Sequence, residues 1–239
     1  MIVSKSVSFF RLLEWSWQHI LMLLLSSSVV AALYYFEIIT IKIPWLPISV
    51  IGTAVAFFVG FKNNQAYDRM WEARKIWGGI VNNSRTWGMQ VDGYISNIFN
   101  NKVEIKELKE IKQRLIYRHI AWLYTHRLQL LVPTSWEYAS QKGRTARVAK
   151  HFQDNFGIGL VADEASKIKL SDFIVKKELT EPDKAKNKAT QIINAQSREL
   201  TQLRAKHIIE DFRHIELMET LGQFYELQGK NERIKKFSI

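Results

Sequence analysis

Cysteine is absent from the 239 residues, so the chain has neither a disulfide framework nor a thiolate metal site. Formal charge is nearly absent from the first sixty residues, where only Lys5, Arg11, Glu14, Glu37 and Lys42 carry it. No phosphate-cradling glycine loop, HExxH pair or nucleophile elbow occurs, which argues against an enzyme, and no cofactor is called for. No nucleic-acid-binding motif is found either, although the net charge of +11 is strongly basic.

What is present is strongly segregated. A hydrophobic fraction of 47% with 12% aromatics excludes a disordered chain. Between Glu14 and Glu37 a charge-free run extends from Trp15 to Phe36. At ~1.5 Å per residue, its helix would span about 33 Å, enough for a ~30 Å hydrocarbon core. Trp15 and Trp17 at one end and Tyr34 and Tyr35 at the other suit the two membrane interfaces. A second apolar run, Ile43 to Phe61, lies between Lys42 and Lys62. A second run following so closely argues against a cleaved signal peptide. Pro44 and Pro47 are read as first-turn residues of that helix, where a missing N–H costs least.

The predicted organisation is therefore a membrane region over residues 1–61, with helices at about 15–36 and 43–61, and a basic helical domain over 62–239. Lys62, Arg69, Arg74 and Lys75 follow the second helix, so the positive-inside rule leaves both ends cytosolic and turns the 37–42 connection outward. The basic surplus past Gly60 suits an anionic lipid surface or attraction for permeant anions.

Within the second helix, Gly52, Ala56 and Gly60 recur every fourth residue and allow close helix approach. One position on, Thr53, Phe57 and Phe61 form a parallel strip. This strip either looks onto a shared axis in an oligomer or simply meets lipid or a core.

Farther on, apolar residues at helical period predict an amphipathic helix over 103–131, interrupted at Pro133-Thr134-Ser135. Residues 135–190 mix short pieces with charged loops such as Thr180-Glu181-Pro182-Asp183-Lys184. A single long helix is expected from Lys188 to Lys230. On it His207, Glu210, Asp211 and His214 share a face, but two turns, about 10 Å, separate the histidines, so one ion cannot take both directly. A hydrated or ion-paired face is the preferred reading, and no metal is assigned.

The stretch Gly60-Phe61-Lys62-Asn63-Asn64-Gln65-Ala66-Tyr67-Asp68-Arg69-Met70-Trp71-Glu72-Ala73-Arg74 resembles the signature of the bestrophin ion channels, especially the bacterial branch, in which a Gly-Phe-Arg-Asn-Asn-type turn leads into an Arg-x-Trp-Glu-x-Arg helix. Asn82-Asn83-Ser84-Arg85, His119-Ile120-Ala121-Trp122 and Glu232-Arg233-Ile234 extend the likeness over most of the chain. Lys62 stands where Arg is commoner in that family.

The resemblance implies an all-α homopentamer of integral membrane helices with a cytosolic helical bundle, located in a bacterial inner membrane. Its expected partners are the lipid bilayer, further copies of itself and small inorganic ions, chloride above all. It places an apolar neck at Thr53, Phe57 and Phe61, with Thr53 departing from the family's usual aliphatic residue, and a lower aperture near Ile215. Asn63 and Asn64 are either helix caps at a bend or an ion contact beneath the neck. Arg69, Glu72 and Arg74 are expected in ion pairs between helices or subunits, and Trp71 and Trp77 as packing anchors.

The family's last two transmembrane helices would follow Glu232-Arg233-Ile234, and the chain stops at Phe237-Ser238-Ile239. The expectation is therefore a chain lacking those helices and the family's calcium clasp. The alternative to a channel is a non-conducting, membrane-tethered interaction module or truncated product.

Overall fold

A computed structural model describes residues 9–38, 44–135, 137, 140, 142–143, 146–147, 149–151, 173 and 187–236. The readings attached to Lys5, Lys42, Ile43, residues 180–184 and Phe237-Ser238-Ile239 fall outside them, as do the side chains of Arg11, Glu14 and Trp15. The described residues are all-α and contain no strand. In chain order the helices are α1 (Phe9–Tyr35), α2 (Trp45–Tyr94), α3 (Ile105–Leu131), α4 (Lys188–Ala205) and α5 (Asp211–Lys236). The chain divides into one unit through Asn64 and a second from Gln65 onward.

In the first unit, α1 and the start of α2 are long and apolar enough to cross a membrane, and none of their apolar windows is buried within the chain. The uncharged run explains α1, and the fold closes it without glycine. Glu37 adopts φ +58° while Glu37 N–H donates to Tyr34 O (3.1 Å) and Ile38 N–H to Leu33 O (3.0 Å). This is the paired closure of a Schellman motif, which normally puts Gly at the left-handed position. Pro44 immediately precedes α2 and Pro47 sits in its first turn, where a missing N–H is tolerated. The hydroxyls of Ser49 and Thr53 are satisfied inside the helix, on Leu46 O (2.8 Å) and Ser49 O (2.9 Å).

Two expectations about helix ends are corrected. The second apolar helix does not stop at Phe61 and give way to a turn, because α2 continues unbroken through Lys62-Asn63-Asn64 to Tyr94. Neither a proline nor a left-handed residue interrupts that stretch, and two asparagines alone do not end a helix. The long helix predicted over 188–230 is in fact two. It breaks after Ala205, where His207 takes φ +55°, His207 N–H donates to Arg204 O (2.9 Å) and Ile208 N–H to Leu203 O (3.0 Å). The break is held by burial, since Leu203, Ile208 and Ile209 all join the core.

The second unit packs the Gln65–Tyr94 part of α2 with α3, α4 and α5. Helix α3 lies against α4 and α5, and α4 against α5. Trp87 of α2, Leu115 and Trp122 of α3, Leu200 of α4, and Leu217 and Phe224 of α5 are fully buried in one apolar cluster. Burying side chains of this size stabilises by roughly 1.5–3 kcal/mol each before conformational entropy is counted. Asn187 caps α4, its Oδ1 accepting from Thr190 N–H at 3.2 Å.

Candidate functional site

In the first unit the strip predicted from spacing forms one open edge of α2. Phe57 and Phe61 stack with ring centroids 6.4 Å apart and 23° between planes, and each is 64% exposed. Thr53 continues the edge one turn earlier and is also exposed. A methyl group added at Gly52 or Gly60 would meet open space, so among the described residues none packs on the small-residue strip at those positions. Asn63 and Asn64 are exposed within a continuing helix, so neither caps a helix end and the structural half of that reading is set aside.

In the second unit Glu72 forms an ion pair with Arg233 of α5, and Arg69 Nη2 donates to Ile234 O at 2.9 Å. Both tie α2 to the last turns of α5. Arg74 is exposed on the outer side of α2. Trp77 packs against the core beside His126, at 6.0 Å between rings. Trp71 is not a buried anchor. It is 46% exposed, stacked on Tyr67 at 6.5 Å with Lys75 Nζ 5.9 Å above its ring. Ile215 lies early in α5, 60% exposed, beside Phe212 at 74%.

His207, Glu210, Asp211 and His214 do not share a helical face, because His207 and Glu210 belong to the connection between α4 and α5. Asp211 opens α5 and accepts from Arg204 Nε at 2.6 Å, which holds its carboxyl below the usual value. Among the described residues no group of three or more His, Cys, Asp or Glu side chains is placed to hold a metal ion.

Spacing alone did not reveal a buried polar seam that joins the dispersed motifs. His119 of α3 lies 3.0 Å from Ser84 Oγ of α2. One turn along, Trp122 Nε1 donates to Gln228 Oε1 of α5 at 2.9 Å. Gln228 Nε2 in turn donates to Glu232 Oε1 (2.8 Å), Thr190 Oγ1 (2.9 Å) and Asn187 Oδ1 (3.2 Å). Asn231 Nδ2 donates to His126 Nε2 at 3.1 Å, and Thr220 Oγ1 to Gln90 Oε1 at 2.8 Å.

The indole of Trp122 lies between both histidine rings, 5.4 Å from His119 and 5.7 Å from His126. Burial lowers each histidine to about 4, opposed at His126 by the charge of Glu232. Both rings are therefore neutral near pH 7.

A second polar node lies between α3 and α4, where Glu199 accepts from Arg114 Nε (2.8 Å) and Nη2 (2.6 Å) and pairs with the buried Arg118. Burial pushes the Glu199 carboxyl up, but hydrogen bonds from the two guanidinium groups outweigh it and hold the group below its ordinary value. These nodes tie the helices of the second unit together across buried contacts.

The architecture thus defines an all-α protein of the membrane-helix class, two apolar helices being joined to a helical bundle. The chain belongs to the bestrophins: the family model described as bacterial/fungal bestrophin protein matches residues 11–239. It is 50% identical over 52 residues to a voltage-dependent anion channel-forming protein of Ralstonia nicotianae, covering 22% of this chain and 17% of that one. Over 63 residues it is 41% identical to the voltage-dependent anion channel-forming protein YneE of Escherichia coli, covering 26% of this chain and 21% of the relative. The aligned stretches thus span about a fifth of these relatives' lengths. Its fold is similar to that of a bacterial bestrophin homologue from Klebsiella pneumoniae, with TM-score 0.64 and 19% identity, covering 92% of this chain and 67% of that one.

Proposed function

We propose that this chain is a subunit of a membrane channel for small inorganic anions, with chloride as the principal permeant ion. Helix α1 and the first part of α2 cross the bilayer. Five copies assemble so that the Thr53, Phe57 and Phe61 edges of α2 meet around one axis and form an apolar neck. Such a ring holds water poorly when narrow and passes hydrated ions when it widens, so it gates by wetting and filters by size and hydration. Thr53 makes the outer end of this neck wetter than the phenylalanine rings. Asn63 and Asn64 offer amide contacts to ions just beneath, and Ile215 rings a second constriction. The membrane is the bacterial inner membrane, with the Gln65–Ile239 unit in the cytosol.

The observation that carries this reading is the bare Phe57–Phe61 edge, two stacked aromatic rings on a helix face that no described residue covers. The curated relatives named as anion channel-forming proteins and the surplus of basic residues favour anions over cations. The test is current through planar bilayers containing the purified chain. Phe57→Ala is expected to raise conductance and weaken gating, whereas absence of both current and pentamer rejects the proposal.

A further inference from the structure

Helix α5 carries two opposite edges. Leu217, Thr220, Leu221, Phe224, Gln228 and Asn231 face the core, whereas Ile215, Glu219, Gly222 and Glu226 are exposed. The spacings 215, 219, 222 and 226 put these four on one outward stripe, with Phe212 at its N-terminal end. A methyl group at Gly222 would meet open space, so among the described residues none covers this stripe there.

The carboxylates of α5 are not equivalent. Asp211 is bonded to Arg204, Glu216 to the Tyr94 hydroxyl, Glu226 to Lys230 at 2.6 Å, and Glu232 to Asn187 and Gln228. Glu219 differs from all four, because among the described residues no group bonds its exposed carboxylate. It stands one turn, about 6 Å along the axis, from Ile215 on the same edge.

We propose that Glu219 is a specificity-determining residue, its carboxylate setting the charge preference of the path beside the Ile215 constriction. This rests on the channel reading above and deepens it. An uncompensated carboxylate repeated around an axis makes an acidic ring, which attracts cations and opposes anions. It therefore acts against the preference that the basic surplus of the chain confers, and the anion selectivity of the intact channel is lower than that surplus alone would give. Glu226, further along the stripe, is offset by Lys230 and contributes little.

The test is the reversal potential of the full chain in planar bilayers under a sodium chloride gradient. Glu219→Gln is expected to raise the chloride-to-sodium permeability ratio about fivefold, which is ~1 kcal/mol at 1.4 kcal/mol per factor of ten. Glu219→Lys should raise it further. Glu107→Gln, an exposed change of equal charge on α3, should leave it unchanged.

The role of Glu219 is overturned if both its variants conduct with the wild-type reversal potential, or if Glu107→Gln shifts that potential equally. In either case the channel reading stands provided Phe57→Ala still alters conductance. Wild-type protein that passes no current overturns the channel reading and this role together.

Discussion

Trp122 Nε1 and Gln228 Oε1 meet at 2.9 Å between α3 and α5, with both residues buried, although 106 positions separate them in the chain. The amide of Gln228 serves four partners at once, so its loss leaves the buried Trp122 N–H without a partner and removes a bond from three half-buried groups. Gln228→Leu is expected to destabilise the second unit by roughly 2–4 kcal/mol. Urea unfolding in detergent checks this. Combined with Trp122→Phe, the loss should be smaller than the sum of the two single losses, since both deletions act on one bond. Strict additivity of the two would contradict a shared network.

Glu199 and Arg118 make a pair of a different kind, buried and charged. Glu199→Ala removes the carboxylate from a guanidinium that is 5% exposed, and the expected cost is about 3–5 kcal/mol. Arg114→Ala acts on the more exposed partner and should cost no more than ~1 kcal/mol. Replacing both buried members, Arg118→Met with Glu199→Leu, should restore much of the stability lost by Glu199→Ala. Equal losses for Arg114→Ala and Glu199→Ala would show that burial does not govern this node.

Acid should loosen the bundle through the two buried histidines. Their values in the fold, about 4, lie below the 6.5 of an unconstrained histidine, so the unfolded chain binds more protons over that interval. The stability due to the neutral rings is complete above pH 6.5 and is lost progressively as pH falls towards 4. The upper limit is about 3 kcal/mol per ring. Melting temperature in detergent should therefore fall from pH 7 to pH 4.5, and His126→Phe should flatten that dependence. A melting temperature that stays level or rises on acidification contradicts the assignment.

How much of this was legible in the sequence depends on the range of the physics involved. The absence of charge between Glu14 and Glu37 is a local signal, and it anticipated a helix where α1 lies. The periodic apolar residues of 103–131 likewise anticipated α3. The continuation of α2 past Asn63 and Asn64 was missed because asparagine is a weak breaker, and no stronger one follows before Tyr94. The break at 206–210 was missed because the left-handed position is occupied by His207 rather than glycine. Its cause is the burial of Ile208 and Ile209, which local spacing does not reveal. The seam from Ser84 through His119 to Gln228 had its members singled out only as motif fragments. Their meeting is a tertiary fact, joining residues 35 and 106 positions apart.

The left-handed His207 offers its own test. A non-glycine residue there costs roughly 1–2 kcal/mol of backbone strain, less for histidine than for bulkier types. His207→Gly should stabilise the α4–α5 connection by about 0.5–1 kcal/mol, and His207→Val should destabilise it. Thermal unfolding of the three proteins gives the order directly. Stabilisation by valine would contradict the closure described here.

Because the chain has no cysteine, single thiols introduced along α2 report on their surroundings without background. The decisive measurement is current through reconstituted Phe57→Cys and Val59→Cys proteins during exposure to a water-soluble, charged thiol reagent. On the proposed neck, position 57 would face water along the axis and position 59 lipid or a neighbour, so reaction at position 57 should change the current and reaction at position 59 should not. The opposite pattern, with position 59 responsive and position 57 silent, would mean that the Thr53, Phe57 and Phe61 edge does not line the ion path.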